Sequence, residues 1–304
     1  MFDCIVIGGG PAGMSASVYL ARQKLKFAMF AGDIGGQVIW SSDVENYLGI
    51  HEISGVKLVQ AFQKHLDDYR KAMELHEAEK VVRISKTTGG FSVQTDRGAY
   101  PTKTLLVATG ADHRKLGVPG EDQFNVKGIT YCATCDAPLF SGKKVHVIGG
   151  GNSAMDAALL LTNYASEIHI VMINSELMGD EVMKRKCLSN PKITVHPSTK
   201  TVRFEGAQTL ASIVLADKDG KESVVPTEGV FIEIGLVPQS QFIDFVAKDK
   251  SGQIIVDANN RTNVDGIWAA GDVTTVSYKQ IAVAVGEGSK AALDIIRYLQ
   301  STED

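Results

Sequence analysis

The sequence predicts an α/β fold of two Rossmann-like three-layer domains of the dinucleotide-binding type, the second inserted in the first and joined to it by a two-stranded hinge. Three observations predict it. A β-branched strand runs into a glycine-rich turn at Gly8 and again at Gly149. The two copies match from Ile7 to Gly10 and Ile148 to Gly151, and again at Met14/Met155 and Ala16/Ala157. The run from Leu105 to Gly110 is paralleled by Val230 to Gly235, which closes the second copy, with Leu236-Val237-Pro238 as the return linker.

The chain has 304 residues, enough for two domains with cores of their own. A composition of 44% hydrophobic and 22% charged residues suits a soluble globular protein. A net charge of -4 argues against nucleic acid or an anionic membrane surface as partner. The apolar runs are short and broken by glycine, so none is expected to span a bilayer. With a strand entering a glycine turn at Gly8, no signal peptide is expected. Four cysteines with a single close pair fit a reducing compartment, and the expected location is cytoplasmic.

In the first copy, Cys4 to Ile7 is a buried-type strand without alternation. Gly8-Gly9-Gly10-Pro11-Ala12-Gly13 follows, then an apolar-periodic helix from about Met14 to Gln23. The glycines permit a tight turn and close backbone approach, and the helix N-terminus offers N–H groups to a pyrophosphate. The second strand is Phe27 to Phe30; the acid expected roughly 20 residues past the glycines is missing from its end, with Asp33 the nearest candidate. Gly35-Gly36-Gln37 and Val44-Glu45-Asn46-Tyr47 read as loop. A helix is expected from Gly55 to Met73, with Leu58, Phe62, Leu66, Tyr69 and Met73 on one face and His65 on the solvated side. Residues 79–107 read as three strands, and residues 111–121 as a polar linker containing Pro and Gly.

In the second copy, Val145 to Ile148 leads into Gly149-Gly150-Gly151-Asn152-Ser153-Ala154, with alanine as an allowed third glycine. A strand from Glu167 to Met172 precedes a helix near Asp180 to Leu188. That helix carries Cys187, a small packed hydrophobe by this reading, as is Cys4 in the first strand. Lys184, Arg185 and Lys186 form its solvated face. Short strands follow around 193–196, 201–204, 210–216 and 222–226. Near the C-terminus, a strand ends in Gly271-Asp272 and a last helix runs from about Gln280 to Leu299. Asp272 falls where open α/β sheets place ligand contacts.

Between the two glycine turns lies Tyr131-Cys132-Ala133-Thr134-Cys135-Asp136. Two cysteines separated by two residues can close a small disulfide ring, and such thiols can be reactive at neutral pH. The spacing is also half a zinc site, but no second CxxC or histidine pair stands nearby, and no metal is expected. Asp136 also fits a helix-capping acid.

Together these residues resemble the low-molecular-weight thioredoxin reductase family, which includes the flavoprotein portion of alkyl hydroperoxide reductases. The resemblance covers essentially the whole chain. It rests on Gly8 to Gly13, Gly35-Gly36-Gln37, Val44-Glu45-Asn46, Ala108-Thr109-Gly110, Cys132 to Asp136, Gly149 to Ala154 and Ala270-Gly271-Asp272. Tyr278-Lys279-Gln280-Ile281 with Gly286-Glu287-Gly288 is similar to the peroxide-reductase branch. The resemblance implies an FAD-binding domain from residues 1–113 and 242–304, and a pyridine-nucleotide-type domain from 117–238 carrying the CxxC. It implies that Gly8, Gly10, Pro11, Ala12 and Gly13 hold the FAD pyrophosphate, with Gly35, Gly36, Gln37, Asn46, Thr109 and Gly110 on the same cofactor. Gly271, Asp272 and the backbone of Gln280, Ile281 and Ala282 would reach its flavin end, and Gly149, Gly151, Asn152, Ser153 and Ala154 would hold NADH or NADPH. It further implies a homodimer, and a domain rotation about linkers near 111–121 and 235–241. Electrons would pass from NAD(P)H through FAD to the Cys132–Cys135 disulfide, with Cys135 against the flavin and Asp136 moving the thiol proton. The acceptor would be thioredoxin or a thioredoxin-like protein, reduced by thiol–disulfide exchange.

One stretch departs from the family. NADPH-dependent members carry His-Arg-Arg after the second strand of the inserted domain, where this chain has Met172-Ile173-Asn174. Losing two charge-assisted hydrogen bonds at about 1.5–3 kcal/mol each removes roughly two to four decades of affinity for a 2′-phosphate. NADH is therefore expected over NADPH, although Met172 is not the acid that NADH users tend to place at the ribose. Three readings follow. A pyridine-nucleotide-dependent thioredoxin reductase fits the intact Gly149 to Ala154 turn. A thioredoxin reductase fed by ferredoxin or reduced flavin fits Met172-Ile173-Asn174. A non-enzymatic FAD redox sensor is the third, and the CxxC followed by Asp136 argues against it.

Overall fold

A computed structural model describes residues 1–41 and 44–301. The chain opens with β1 (Phe2–Gly9), α1 (Pro11–Arg22), β2 (Phe27–Ile34), α2 (Gly55–Asp67) and β3 (Met73–Glu77). Then come β4 (Val81–Thr87), β5 (Gly90–Thr95), β6 (Ala99–Val107) and β7 (Ala111–His113). The middle holds β8 (Ile129–Thr130), α3 (Ala133–Asp136), β9 (Lys144–Ile148), α4 (Asn152–Leu161), β10 (Glu167–Val171) and α5 (Glu181–Ser189). It continues with β11 (Ile193–His196), β12 (Lys200–Gly206), β13 (Leu210–Ala216), β14 (Glu222–Pro226) and β15 (Gly229–Ile232). The last elements are β16 (Leu236–Pro238), β17 (Ile267–Ala269) and α6 (Ile281–Ser301). The chain forms two compact units, Met1–Asp112 with Val237–Asp304, and His113–Leu236. Strands β7 and β16, where the chain passes between units, pair with each other.

The first unit is built on a parallel sheet in the order β3-β2-β1-β6, with β17 beside the C-terminal half of β6. Its central strand is buried on both faces. Cys4 and Val6 of β1 pack with α1 and α6, while Ile5 and Ile7 pack with Ile84, Phe91 and Val93 of the antiparallel β4–β5 hairpin. Burial on two sides is why β1 shows a continuous apolar run and no alternation.

The helix expected from Gly55 to Met73 is shorter. It ends at Asp67, and Met73 begins a strand that pairs with Phe27 at the edge of the sheet. Backbone pairing to β2 and the stacking of His76 on Phe30, centroids 4.3 Å apart, override the helical spacing. The expected face does hold over α2, where Leu58 and Leu66 are buried and His65 is exposed.

The second unit repeats the layout in the order β11-β10-β9-β15-β8, all parallel. On one face α4 packs Met155, Ala158 and Leu161 against Val145, Val147 and Ile168. On the other, Phe204, Ile213 and Leu215 of the antiparallel β12–β13–β14 sheet meet Ile148 and Val171. Sheet parity puts His146 and His169 on this second face. The rings of His146 and His169 stack at 4.8 Å, and those of His169 and His196 at 5.1 Å. His169 Nδ1 and His196 Nε2 share a hydrogen bond of 2.8 Å. Burial pushes His146 down to about 3 and lowers His169 and His196 as well. Such rings stay neutral in the fold and gain protons on unfolding, so their contribution to stability is complete above pH ~6.5 and is lost as pH falls. The unfolding free energy in urea should therefore drop between about pH 6.5 and 5, by at most ~1.4 kcal/mol per pH unit for each histidine. His146→Gln should flatten the slope. A wild-type curve that is level across this interval contradicts the assignment.

Candidate active site

In the first unit the glycine turn leaves the C-terminal end of β1. Gly8 has φ 120°, and a Cβ there would lie 2.1 Å from the Ala108 carbonyl oxygen. A Cβ on Gly13 would lie 2.0 Å from the Gly8 oxygen. No side chain fits at either position. Gly10 differs, since a Cβ there would meet nothing within 4 Å. It is the N-cap of α1, with Pro11 next and no side-chain cap. Open space thus faces helix N–H groups that no intrahelical carbonyl can satisfy.

Gly35 and Gly36 lie against this turn, and the other expected residues are on segments of the same unit. Gly35 N–H donates to Gly9 O at 2.8 Å, and a Cβ on Gly36 would lie 3.6 Å from Gly10 Cα. Gln37 follows, half-buried in a short 3-10 turn. Helix α6 crosses α1 at Gly288, where a Cβ would come 2.0 Å from Ala12 O. Ser15 Oγ lies 2.9 Å from Val285 O and 2.7 Å from Ser289 Oγ, tying the same crossing. Gly271, at φ 77°, falls beside Ala12, and Glu287 accepts its N–H at 3.0 Å. The Asp272 side chain is half-buried, and burial holds its carboxyl above the usual carboxylate range. Asn46 Nδ2 donates to Gln280 Oε1 at 3.2 Å, joining that segment to the start of α6 at Ile281 and Ala282. Thr109 Oγ1 donates to Gln239 O at 2.5 Å, and Gly110 follows at φ 72°. Asp33 is exposed at the end of β2. An open, glycine-walled helix N-terminus of this kind fits a dinucleotide such as FAD. Sequence reasoning does not assign Glu287; its signal is a Gly-Glu-Gly interruption within an apolar helix.

In the second unit Gly149 has φ 141°, and a Cβ there would lie 2.3 Å from the Glu233 oxygen. Gly151 is the uncapped N-cap of α4 and, like Gly10, faces open space. Ala154 is buried, whereas Asn152 and Ser153 are exposed. Asn152 Oδ1 accepts the Asp180 N–H at 2.9 Å, and Met178 N–H donates to Gly150 O at 2.7 Å, so the 178–180 segment lies against this turn. Met172 is buried, its sulfur 2.9 Å from where a Cβ on Gly150 would stand, while Ile173 and Asn174 are exposed. On α5, Lys184 pairs with Glu181 at 2.7 Å, and Arg185 and Lys186 face solvent.

Cys132 and Cys135 form a disulfide, with Cα atoms 5.3 Å apart. Cys132 is the N-cap of α3, and its sulfur accepts the Cys135 N–H at 3.2 Å. That cap is a sulfur, so Asp136 serves elsewhere: the Thr130 hydroxyl donates to its Oδ2, while Thr130 Oγ1 accepts the Cys132 N–H at 3.2 Å. Tyr131 donates to Glu121 at 2.8 Å, and the same buried carboxylate accepts the N–H groups of Leu116 at 2.9 Å and Gly117 at 2.7 Å. Ala133 N–H donates to Glu233 Oε1 at 3.4 Å. Thr130, Glu121 and Glu233 carry no local motif and are not singled out by the sequence. Cys4 and Cys187 are fully buried, and burial pushes their thiols up to about 12 and about 11. Among the described residues no group of three or more His, Cys, Asp or Glu side chains is arranged to hold a metal ion.

A family model for pyridine nucleotide-disulphide oxidoreductases matches residues 2–288. The chain is 40% identical over 306 residues to an alkyl hydroperoxide reductase component of Pseudomonas aeruginosa, covering 99% of this chain and 59% of that one. It is 38% identical over 301 residues to an NADH dehydrogenase of Bacillus subtilis, covering 98% and 58%. Its fold matches thioredoxin reductase from Streptococcus pyogenes with a TM-score of 0.93, 33% identity and 99% of each chain covered. Thioredoxin reductase from Giardia duodenalis gives 0.92, with 31% identity over 98% of this chain and 99% of that one. The fold and the family model define the class: the chain belongs to the pyridine nucleotide-disulphide oxidoreductase family. Within it the chain falls with the low-molecular-weight thioredoxin reductases, closely related to the alkyl hydroperoxide reductase branch. It spans about three fifths of the length of the curated relatives it matches.

Two glycines separate packing from binding. Gly288→Ala drives a methyl into a backbone carbonyl and should cost about 1–3 kcal/mol, lowering Tm together with flavin retention. Gly10→Ala meets no protein atom and should leave the Tm of cofactor-stripped protein unchanged while weakening flavin retention. Calorimetry and flavin stoichiometry measure both, and full flavin retention in Gly10→Ala would remove this turn from the cofactor site.

Proposed function

We propose that the protein is a disulfide reductase of the thioredoxin reductase type. In this reading the first unit binds FAD on the Gly8–Gly13 turn, bordered by Gly36, Gly271, Asp272 and the start of α6. The Gly149–Ala154 turn takes NADH in preference to NADPH, and Cys132–Cys135 delivers the electron pair to thioredoxin or a thioredoxin-like protein. The carrying observation is the closed Cys132–Cys135 disulfide at a helix N-cap, with Asp136 held beside it by Thr130. The likeness to thioredoxin reductases from two organisms supports the choice of acceptor. A homodimer in the cytoplasm belongs to the same reading, carried by the family resemblance and the cysteine usage.

FAD, when bound, supplies the two-electron link between a hydride donor and the sulfurs. The remaining chemistry belongs to the chain's own side chains. Two electrons and two protons turn the Cys132–Cys135 disulfide into a dithiol, and Asp136, fixed by the Thr130 hydroxyl, is the carboxyl placed to move a proton at this turn. The Cys135 N–H that meets Cys132 Sγ favours negative charge on that sulfur. One thiolate attacks a partner disulfide, giving a mixed disulfide and a partner thiolate. The second cysteine then attacks its neighbour's sulfur, re-forming the Cys132–Cys135 bond and releasing the partner as a dithiol.

A second reading rests on one observation. Ile173 and Asn174 stand exposed where NADPH-dependent members carry cations, and Met172 is packed beneath Gly150. This favours a donor other than a pyridine nucleotide, such as ferredoxin or reduced flavin. Anaerobic mixing decides between them. NADH should bleach the flavin spectrum faster than equal NADPH; if neither does and reduced ferredoxin does, the second reading replaces the first. Cys132→Ser and Cys135→Ser should each abolish thioredoxin reduction while FAD stays bound. Turnover retained in both variants would eliminate the dithiol mechanism.

A further inference from the structure

Glu233 follows β15 directly and touches two turns at once. Its backbone oxygen lies against Gly149, and its side-chain Oε1 accepts the N–H of Ala133, between the two cysteines, at 3.4 Å. The internal repeat supplies a comparison within the molecule. Ala108 holds the same place in the first unit. Ala108 N–H donates to Ile7 O and Glu233 N–H to Ile148 O, both at 2.8 Å. Gly8 rests on the Ala108 oxygen as Gly149 rests on the Glu233 oxygen. A methyl group therefore satisfies the fold at this position. A half-buried carboxyl there costs desolvation that packing does not require, and the group it meets is the dithiol turn.

We propose that Glu233 is a positioning residue of the dithiol, taking up a proton as Cys132–Cys135 is reduced and so tying the potential of the pair to its own protonation. The proposal rests on the reading of Cys132–Cys135 as a redox couple. In the disulfide state the Glu233 carboxylate accepts the Ala133 N–H. An electron pair, from reduced FAD or from a small dithiol, breaks the S–S bond and leaves one thiol and one thiolate. The thiol proton and a second proton, bound by Glu233, come from solvent. Both return to solvent when the S–S bond re-forms. The cause is repulsion between carboxylate and thiolate at short range in a partly desolvated turn. Burial first, opposed by the Ala133 N–H and aided more weakly by the Asp156 charge, raises the Glu233 carboxyl to about 7, where the exchange operates at neutral pH. The ionisable group whose charge acts on it is Asp156, exposed on α4, while Asp136 on α3 is held by Thr130.

Equilibration of the purified full-length holoprotein with dithiothreitol redox buffers, read by thiol alkylation across about pH 6–8, needs no nucleotide. In the wild type, the midpoint potential of Cys132–Cys135 should change slope with pH near neutrality. Glu233→Gln keeps an oxygen for the Ala133 N–H, yet should remove that change of slope. Glu233→Ala, which copies Ala108, is the second variant and should behave alike. A slope identical to wild type in both variants overturns the coupling and leaves the dithiol reading intact. A cysteine pair that never changes state in these buffers overturns the dithiol reading itself.

Discussion

One backbone contact recurs in both units and the rest hangs on it: the Cα of a turn glycine resting on a carbonyl of the adjacent parallel strand. Gly8 lies on Ala108 and Gly149 on Glu233, each too close for any Cβ. The contact holds the strand-to-helix turn at the C-terminal edge of its sheet. It also aims the helix N-terminus away from the core, so that the amides of α1 and α4 open onto free space at Gly10 and Gly151. The position of each nucleotide-type turn therefore follows from sterics before any ligand is considered.

The first unit extends the same device outward. Gly13 rests on Gly8, and Gly288 rests on Ala12, so β1, α1 and α6 approach backbone to backbone. That crossing carries Gly271, Asp272 and the start of α6 to the Gly8–Gly13 turn. Glu287 then accepts the Gly271 N–H and holds the backbone before Asp272. A substitution at Gly288 acts on the candidate flavin site through this stack without touching a ligand.

In the second unit the edge beside the glycine turn is occupied by the CxxC turn, and its neighbours restrain it through side chains. Glu121 gathers Tyr131 and two backbone amides from the preceding linker, and three donors offset the desolvation of its buried carboxylate. Thr130 links Asp136 to the amide of Cys132. The His113 ring lies tilted against Tyr131 at 5.3 Å, and burial holds it down to about 4, neutral at physiological pH. The disulfide thus sits in a turn fixed before and after the cysteines, and Ala133 adds the contact to Glu233.

The glycine turns and the vicinal cysteines were legible from the chain alone because their physics is local. Positive φ, close approach at a strand-to-helix turn and closure of a four-residue ring involve neighbours in sequence, and the repeat showed each of the two folds against the other. The misread stretch ends at Met73, an apolar residue that suits a helix face and a sheet edge equally; only its pairing with Phe27, brought up by the sheet, decides between them. Glu233 reaches Ala133 across 100 residues, and Glu287 reaches Gly271 from a different element. Which carboxylates face the sulfurs and the candidate flavin turn was decided by strand pairing and helix crossing, because nothing local to those acids records what the fold places opposite them.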